Sequence, residues 1–320
     1  MKISVVIPVY NAAPFVERAV ESALQQPETS EVVLCEDGSP DDSYEVCQGL
    51  ARKHDRVQLY AHPNHENRGP GATRNRAIRE STHDIIAFLD ADDFFLPDRF
   101  SHVADILNSQ PDADGVYDAV DAHFYSKEEE QKWKAKERTE LITMSERVPP
   151  DQLFREHSPV GSKGFTQPSG WTIRKCAFRK AGLFNPDLRL HQDTDLFMRF
   201  AISCRMVPGK LREPVARRGV HERNRISAPR SDAETFDHRM RMWGATWSWV
   251  LKNEKKQEAK VIGNRFCRHF FWGVLSDKDI KLKTRYKITS EYYPYEKSNL
   301  KLIASLVLVA VSIVEGKITE

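Results

Sequence analysis

Four short apolar runs recur in the first ninety residues: Ser4-Val5-Val6-Ile7, Val32-Val33-Leu34, Val57 to Ala61, and Ile85-Ile86-Ala87-Phe88-Leu89. Continuous apolar stretches of this length are the pattern of strands buried on both faces. Between the first two, Phe15, Ala19 and Ala23, with Val16, Val20 and Leu24, repeat every fourth residue and give a helix one apolar face. Pro14 suits that helix's first turn, with Asn11 nearby as its cap. A turn-rich loop, Glu36 to Asp42, leads into a helix through about His54, and a third helix is predicted over Ala72 to Glu80. Repeated β-α-β units of this length predict parallel strands joined by right-handed crossovers, an α/β fold.

Beyond residue 120 the pattern changes. Ser126 to Arg147 is dense in charge, including Lys127-Glu128-Glu129-Glu130, and reads as a solvated helix or a mobile insertion. Trp171-Thr172-Ile173 reads as a short strand, and Thr194 to Ser203, Ala233 to Lys256 and Val261 to Trp272 as helices. Leu302 to Val314 is an uncharged apolar run of 13 residues flanked by Lys297, Lys301 and Lys317. A membrane-crossing helix needs about 20 residues. The run therefore reads as a buried helix, a monotopic anchor or an oligomer contact. There is no repeat of solenoid length.

Composition narrows the field. The 320 residues carry 48 basic and 46 acidic side chains, a net charge of +2, so no global field argues for a nucleic-acid partner. Five cysteines are scattered without C-x-x-C spacing, as free thiols of a reducing compartment. The N-terminus reads at once as a strand rather than an export signal, and a cytoplasmic location is the default.

Ligands of open α/β sheets bind outside the carboxyl ends of the strands. After the four strands come Pro8-Val9-Tyr10-Asn11, Glu36-Asp37-Gly38-Ser39, Asn64 to Asn75, and Asp90-Ala91-Asp92-Asp93. Polar and acidic residues gather at one rim. Three close carboxylates repel unless a cation or solvent compensates, and oxygen ligands favour Mg²⁺ or Mn²⁺ shared with substrate phosphates. The plainer reading is capping of a helix starting at Pro97. For Glu36 to Asp42 the plainer reading is a turn and a cap. The loop Asn67-Arg68-Gly69-Pro70-Gly71 opens a helix, but it is neither G-x-G-x-x-G nor G-x-x-x-x-G-K-[ST], so a dinucleotide or P-loop site is not indicated.

In this order, Ile3-Ser4-Val5-Val6-Ile7-Pro8-Val9-Tyr10-Asn11, Glu36-Asp37-Gly38-Ser39, Asn67 to Asn75, and Phe88-Leu89-Asp90-Ala91-Asp92-Asp93 resemble the motifs of family 2 glycosyltransferases over residues 1 to about 225. The resemblance implies a GT-A fold, a Rossmann-like, mostly parallel sheet flanked by helices, in residues 1–230, with a helical C-terminal extension over 231–320. It implies inverting transfer from a nucleoside-diphosphate sugar, a UDP-sugar, to a hydroxyl of a glycan or lipid-linked glycan, with Mn²⁺ or Mg²⁺ as cofactor. Pro8, Tyr10 and Asp37 look like the nucleoside pocket, with Asp37 accepting the base's imide N–H. Arg74 is placed near the nucleobase, Asp90 at the ribose or donor sugar, and Asp92 on the metal. Glu36 stands where many members carry Asp, and Thr73 where Ala is usual.

Two later segments extend the match. His191-Gln192-Asp193-Thr194-Asp195-Leu196 resembles the segment E-D-x-D-L, which puts Asp193 at the catalytic base. A positioned carboxylate can take the acceptor's proton as it attacks the anomeric carbon. Gln192 replaces the usual Glu, and Asp195 also reads simply as an acid favouring a helix N-terminus. Arg218-Gly219-Val220-His221-Glu222-Arg223-Asn224 resembles the loop that closes over the diphosphate, with His221 as a second contact to metal or phosphate. From Arg212 to Arg230 six Arg face two Glu, which suits a pyrophosphate leaving group, an anionic acceptor or a solvated surface. Trp171 reads as a sugar platform or as packing. With the apolar run, the family's habits imply a growing glycan on a lipid carrier as acceptor, and a cytoplasmic place that includes peripheral association at the inner face of the plasma membrane. A nucleotidyltransferase or a non-catalytic glycan-binding protein are the alternatives.

Overall fold

The computed structural model describes residues 1–135, 139–222, 224 and 230–276. The chain divides into two units, Met1–Phe271 and Trp272–Glu320. The run from Leu302 to Val314, its flanking lysines, and Arg223 and Arg225 lie outside the described residues.

The first half alternates as its apolar pattern predicts: β1 (Ile3–Val9), α1 (Val16–Leu24), β2 (Thr29–Glu36), α2 (Ser43–Lys53), β3 (Val57–Ala61), α3 (Pro70–Glu80) and β4 (Ile85–Phe88). There follow β5 (Phe94–Phe95), α4 (Ser101–Ser109), β6 (Gly115–Tyr117), β7 (Val120–Phe124), α5 (Lys127–Ala135) and α6 (Leu153–Glu156). The remainder is β8 (Trp171–Arg174), α7 (Ala177–Ala181), α8 (Gln192–Ser203), β9 (Met206–Pro208), β10 (Ala216–Val220), α9 (Asp232–Lys252) and α10 (Lys256–Ser276). Seven strands form one sheet in the order β3-β2-β1-β4-β8-β6-β9, and β5-β10-β7 form a second. The β3-β2-β1-β4 half is parallel, whereas β8 runs antiparallel to both its neighbours.

β1 is the centre of the core. Val5 sits opposite Val32 on one side and Ala87 on the other, and Ile3, Val5, Val6, Ile7 and Val9 are fully buried. Each such side chain contributes roughly 1.5–3 kcal/mol by leaving water. Helices close both faces of such a sheet, so its strands need no polar alternation.

Several local expectations change. α1 begins at Val16, with no side-chain cap, and Pro14 lies in the preceding turn. Asn11 is not the cap: it takes a left-handed φ of 53°, and its N–H donates to Ser39 Oγ. Ser43 Oγ and Asp41 likewise take the N–H groups of Ala12 and Ala13, so the second loop secures the first. The helix after the acidic motif starts at Ser101, not Pro97, because Phe94-Phe95 forms a strand edge of the second sheet. The 126–147 segment is not simply a solvated insertion. α5 exposes its Lys132–Glu128 and Lys134–Glu130 pairs, but Trp133, Ile142 and Met144 are buried, and Ile142 bridges to Val120. Trp171 is fully buried with its indole N–H on Thr166 Oγ1, which makes it core rather than a sugar platform.

α9 is joined to α8 through a buried ionic knot. Asp195 Oδ2 accepts from Arg199 Nη2 at 2.6 Å, Asp195 Oδ1 accepts from the Thr246 hydroxyl at 2.8 Å, and Arg199 Nη1 donates to Ala181 O at 2.6 Å. Asp195 is therefore a tie between helices, not merely an acid in a first turn. Asp195→Asn strands Arg199 without its counter-charge and is expected to cost about 3–5 kcal/mol, against about 1–2 kcal/mol for Thr246→Val. Urea unfolding of the full chain measures both. Equal small losses would mean that water reaches the pair.

Candidate active site

The acidic motif follows β4, and its three carboxylates have three separate fates. Asp90 Oδ1 accepts from Arg74 Nη2; Arg74 is buried on α3, and its Nε and Nη1 find no partner among the described residues. Asp92 Oδ2 meets His221 Nε2 at 3.1 Å and Asn224 Nδ2 at 2.8 Å. Asp93 is 1% exposed. It accepts from the Gly219 N–H, the Ser169 hydroxyl and Gln167 Nε2. Burial, then the Asp92 and Asp90 carboxylates, push its carboxyl well above the usual range. Asp93 thus fixes the ends of β4 and β10 and the turn Pro168–Gly170 against one another.

His221 lies just past β10 and is buried, not an exposed loop histidine. Asn224 turns back on it: Asn224 Oδ1 accepts the His221 N–H at 2.7 Å. A divalent cation with bonds of about 2.1 Å holds adjacent octahedral ligands about 3.0 Å apart. The separation of 3.1 Å between Asp92 Oδ2 and His221 Nε2 matches that spacing. Among the described residues no three His, Cys, Asp or Glu side chains converge as a metal-binding group, so such an ion needs further oxygens from substrate or water.

The loop after β2 is a tight turn built on its own carboxylates. Glu36 accepts from the Gly38 and Ser39 N–H groups. Gly38 has φ +69°, and a Cβ there would lie 2.2 Å from His65 O. Asp37 is buried and takes the Arg68 N–H at 2.7 Å and the Gly69 N–H at 2.9 Å, with His62 Nε2 at 3.6 Å. Burial holds the His62 imidazole below its ordinary value, although Asp37 pulls the other way. Tyr10 is 50% exposed at the same rim, beyond the half-buried Pro8.

Asp193 lies in the first turn of α8, after His191 at φ 60°. Its Oδ1 accepts from the Thr194 N–H at 2.8 Å, while Oδ2 has no hydrogen-bond partner among the described residues. The neighbouring Gln192 is buried with Oε1 unpartnered among the described residues. The segment leading to α8 is bound to the loop opening α3. Asn75 exchanges two hydrogen bonds with the Phe184 backbone, at 2.8 and 2.9 Å, and Arg189 Nη1 donates to Asn67 Oδ1 at 3.0 Å. Asn75, Asn224, Asp93 and Ser169 are the contributors that sequence reasoning did not assign. Asn75, Asp93 and Asn224 stand inside recognisable motifs, and Ser169 does not.

A mostly parallel sheet carrying acids and amide-lined loops at its carboxyl rim, with a small second sheet beside it, is the arrangement of glycosyltransferases of GT-A fold. Residues 4–182 match the model of Glycosyl transferase family 2, and the chain belongs to that family. It is 34% identical over 200 residues to the succinoglycan biosynthesis protein ExoU of Rhizobium meliloti (strain 1021), a match covering 62% of this chain and 56% of that one. It is 40% identical over 97 residues to the chondroitin synthase of Escherichia coli, covering 30% of this chain and 14% of that one. The chain thus spans about half the length of the former relative and a small part of the latter. S. aureus TarS 1-349 in complex with UDP-GlcNAc is similar in fold, with TM-score 0.64 and 16% identity over 91% of this chain and 80% of that one. The mannosyltransferase PcManGT of Pyrobaculum calidifontis, in complex with GDP-Man and Mn²⁺, matches with TM-score 0.51 and 16% identity over 99% of this chain and 88% of that one.

Asp37→Ala removes the acceptor of the Arg68 and Gly69 amides. Hydrogen exchange at these amides should accelerate by about 10-fold or more, as expected for bonds to a charged group. Unchanged exchange would mean that the Asn67–Arg189 contact alone holds the loop.

Proposed function

We propose that the protein is an inverting glycosyltransferase that moves a sugar from a nucleoside-diphosphate donor, a UDP-sugar, to a hydroxyl of a glycan or lipid-linked glycan. The observation that supports it is the gathering of Asp37, the Arg74–Asp90 pair and the Asp92–His221 pair at one rim, with Asp193 on a segment bound to the same loops. Donors bound by related folds, UDP-GlcNAc in TarS and GDP-Man with Mn²⁺ in PcManGT, support a nucleoside-diphosphate-sugar donor, and the TarS complex a UDP one.

In this reading Pro8, Tyr10 and Asp37 hold the nucleoside, and Arg74 and Asp90 fix the ribose or donor sugar. Asp92 and His221 are the residues that hold Mn²⁺ or Mg²⁺, and the ion when bound offsets charge on the leaving diphosphate. Asp193 Oδ2 accepts the acceptor hydroxyl's proton as the oxygen attacks the anomeric carbon. Attack opposite the departing diphosphate inverts that carbon, and no bond to the enzyme forms. Residues 1–230 supply these groups, and α9 braces α8 through Thr246.

No helix among the described residues is long and apolar enough to cross a membrane. The run 302–314 and its lysines support peripheral contact with the inner face of the plasma membrane, where a lipid-linked acceptor is presented.

Calorimetry with UDP and GDP, with and without Mn²⁺, tests the donor site. UDP should bind tighter with Mn²⁺ and tighter than GDP, and Asp92→Ala should erase the metal's contribution. Absence of any nucleoside-diphosphate binding would overturn the reading. Asp193→Asn should lower transfer by about 10²–10⁴-fold while leaving UDP affinity within about twofold. A parallel loss of binding would remove Asp193 from the role of base.

A further inference from the structure

A histidine that ligates a metal normally donates its other ring N–H to a carboxylate, carbonyl or water, and that bond sets the ring's orientation. His221 breaks this rule. Its Nδ1 is buried and has no hydrogen-bond partner among the described residues. Polar contacts reach the ring only at Nε2, 3.1 Å from Asp92 Oδ2 and 3.2 Å from Asn224 Nδ2. Elsewhere the ring is met by aromatic side chains. Phe15 stacks on it with centroids 4.4 Å apart and planes 27° apart. Tyr125 meets it edge-on at 5.7 Å and 85°, and also packs against Phe15 at 4.8 Å.

Tyr125 is held in turn. Arg18 Nη2 donates to its hydroxyl at 2.5 Å, and the Arg18 guanidinium lies 3.9 Å from the Phe94 ring centroid and 5.0 Å from that of Tyr125. Arg18 Nη1 is 3.2 Å from His123 Nε2. No carboxylate pairs with Arg18 among the described residues, so its contacts are with rings, the Tyr125 hydroxyl and an imidazole. The box draws on α1 and the turn before it, on β5, and on the end of β7, none of which is adjacent in sequence to His221. Ring–ring contacts have a preferred geometry and so favour one ring orientation where Nδ1 has no hydrogen bond to fix it.

We propose that Phe15 and Tyr125, the latter anchored by Arg18, are positioning residues that hold the His221 imidazole with Nε2 toward Asp92, in place of the absent hydrogen bond. The proposal rests on Asp92 and His221 being the metal-holding pair. Loss of a group that orients a ligand typically weakens metal affinity by about 10–100-fold.

The test is the Mn²⁺ concentration that half-saturates the metal-dependent part of UDP binding, read by calorimetry on the full chain. Phe15→Leu keeps apolar bulk and removes the stack. It should raise that concentration by about 10-fold, with UDP affinity in the absence of metal unchanged. Phe15→Tyr should restore the wild-type value, and Tyr125→Phe, which keeps the ring but loses the hydroxyl's bonds to Arg18 and to the Asp92 carbonyl, should give a smaller rise of about threefold. In a His221→Ala background, Phe15→Leu should add nothing, a coupling that a purely structural role would not produce. If His221→Ala weakens the metal effect but Phe15→Leu does not, or if the two losses simply add, the positioning role is overturned. If His221→Ala itself leaves the metal effect intact, the assignment of the metal pair fails first.

Discussion

The rim hangs on one buried carboxylate. Asp93 takes hydrogen bonds from Gly219, Ser169 and Gln167, so one side chain brings β4, β10 and the turn before β8 to a common point. Placing an acid there is unfavourable in isolation, as the upward push on its carboxyl shows. The donors offset that cost only while all three segments stay in place, and Asp92, one residue earlier, is aimed by the same arrangement. Together with the ladders of β10 to β5 and β7, Asp93 holds β10 where His221 faces the acidic motif.

The first half of the fold was legible because its physics is local. Strands buried on both faces must be apolar throughout, and helices covering them must carry a stripe, so β1 to β4 and α1 to α3 appear directly in the letters. The second sheet was not legible. β5 has two residues, and Val120-Asp121-Ala122-His123-Phe124 and Ala216-Arg217-Arg218-Gly219-Val220 mix charge with bulk, because these strands are covered on one side only. Their existence depends on pairing with distant partners, which periodicity does not report. The burial of Trp133, Ile142 and Met144 within a charged stretch was hidden for the same reason.

The site shows the same division. Asp37, Arg74, Asp90 and Asp92 could be picked out because they follow predicted strands or open a predicted helix. Asp93 looked like a third equivalent acid, and only its burial separates it. Asn75 looked like one more polar residue of a helix, yet its side chain reads the backbone of Phe184, more than a hundred positions away. Asp193 and Asp195 looked alike at the start of α8. Asp193 is half-buried with Oδ2 unpartnered among the described residues, and Asp195 is locked to Arg199 and Thr246.

Gly71, in the first turn of α3, has no room for a Cβ, which would come within 3.0 Å of the Asn185 carbonyl oxygen. The loop that opens α3 and the segment that delivers Asp193 therefore touch at a point where neither has spare room. Chimeras within the family face this constraint directly. Grafting residues 183–195 from a relative, in order to alter which acceptor hydroxyl is used, transfers an arm whose seat is residues 67–75. The two pieces form a single exchangeable cassette, and a recombination boundary drawn between them separates a plug from its socket.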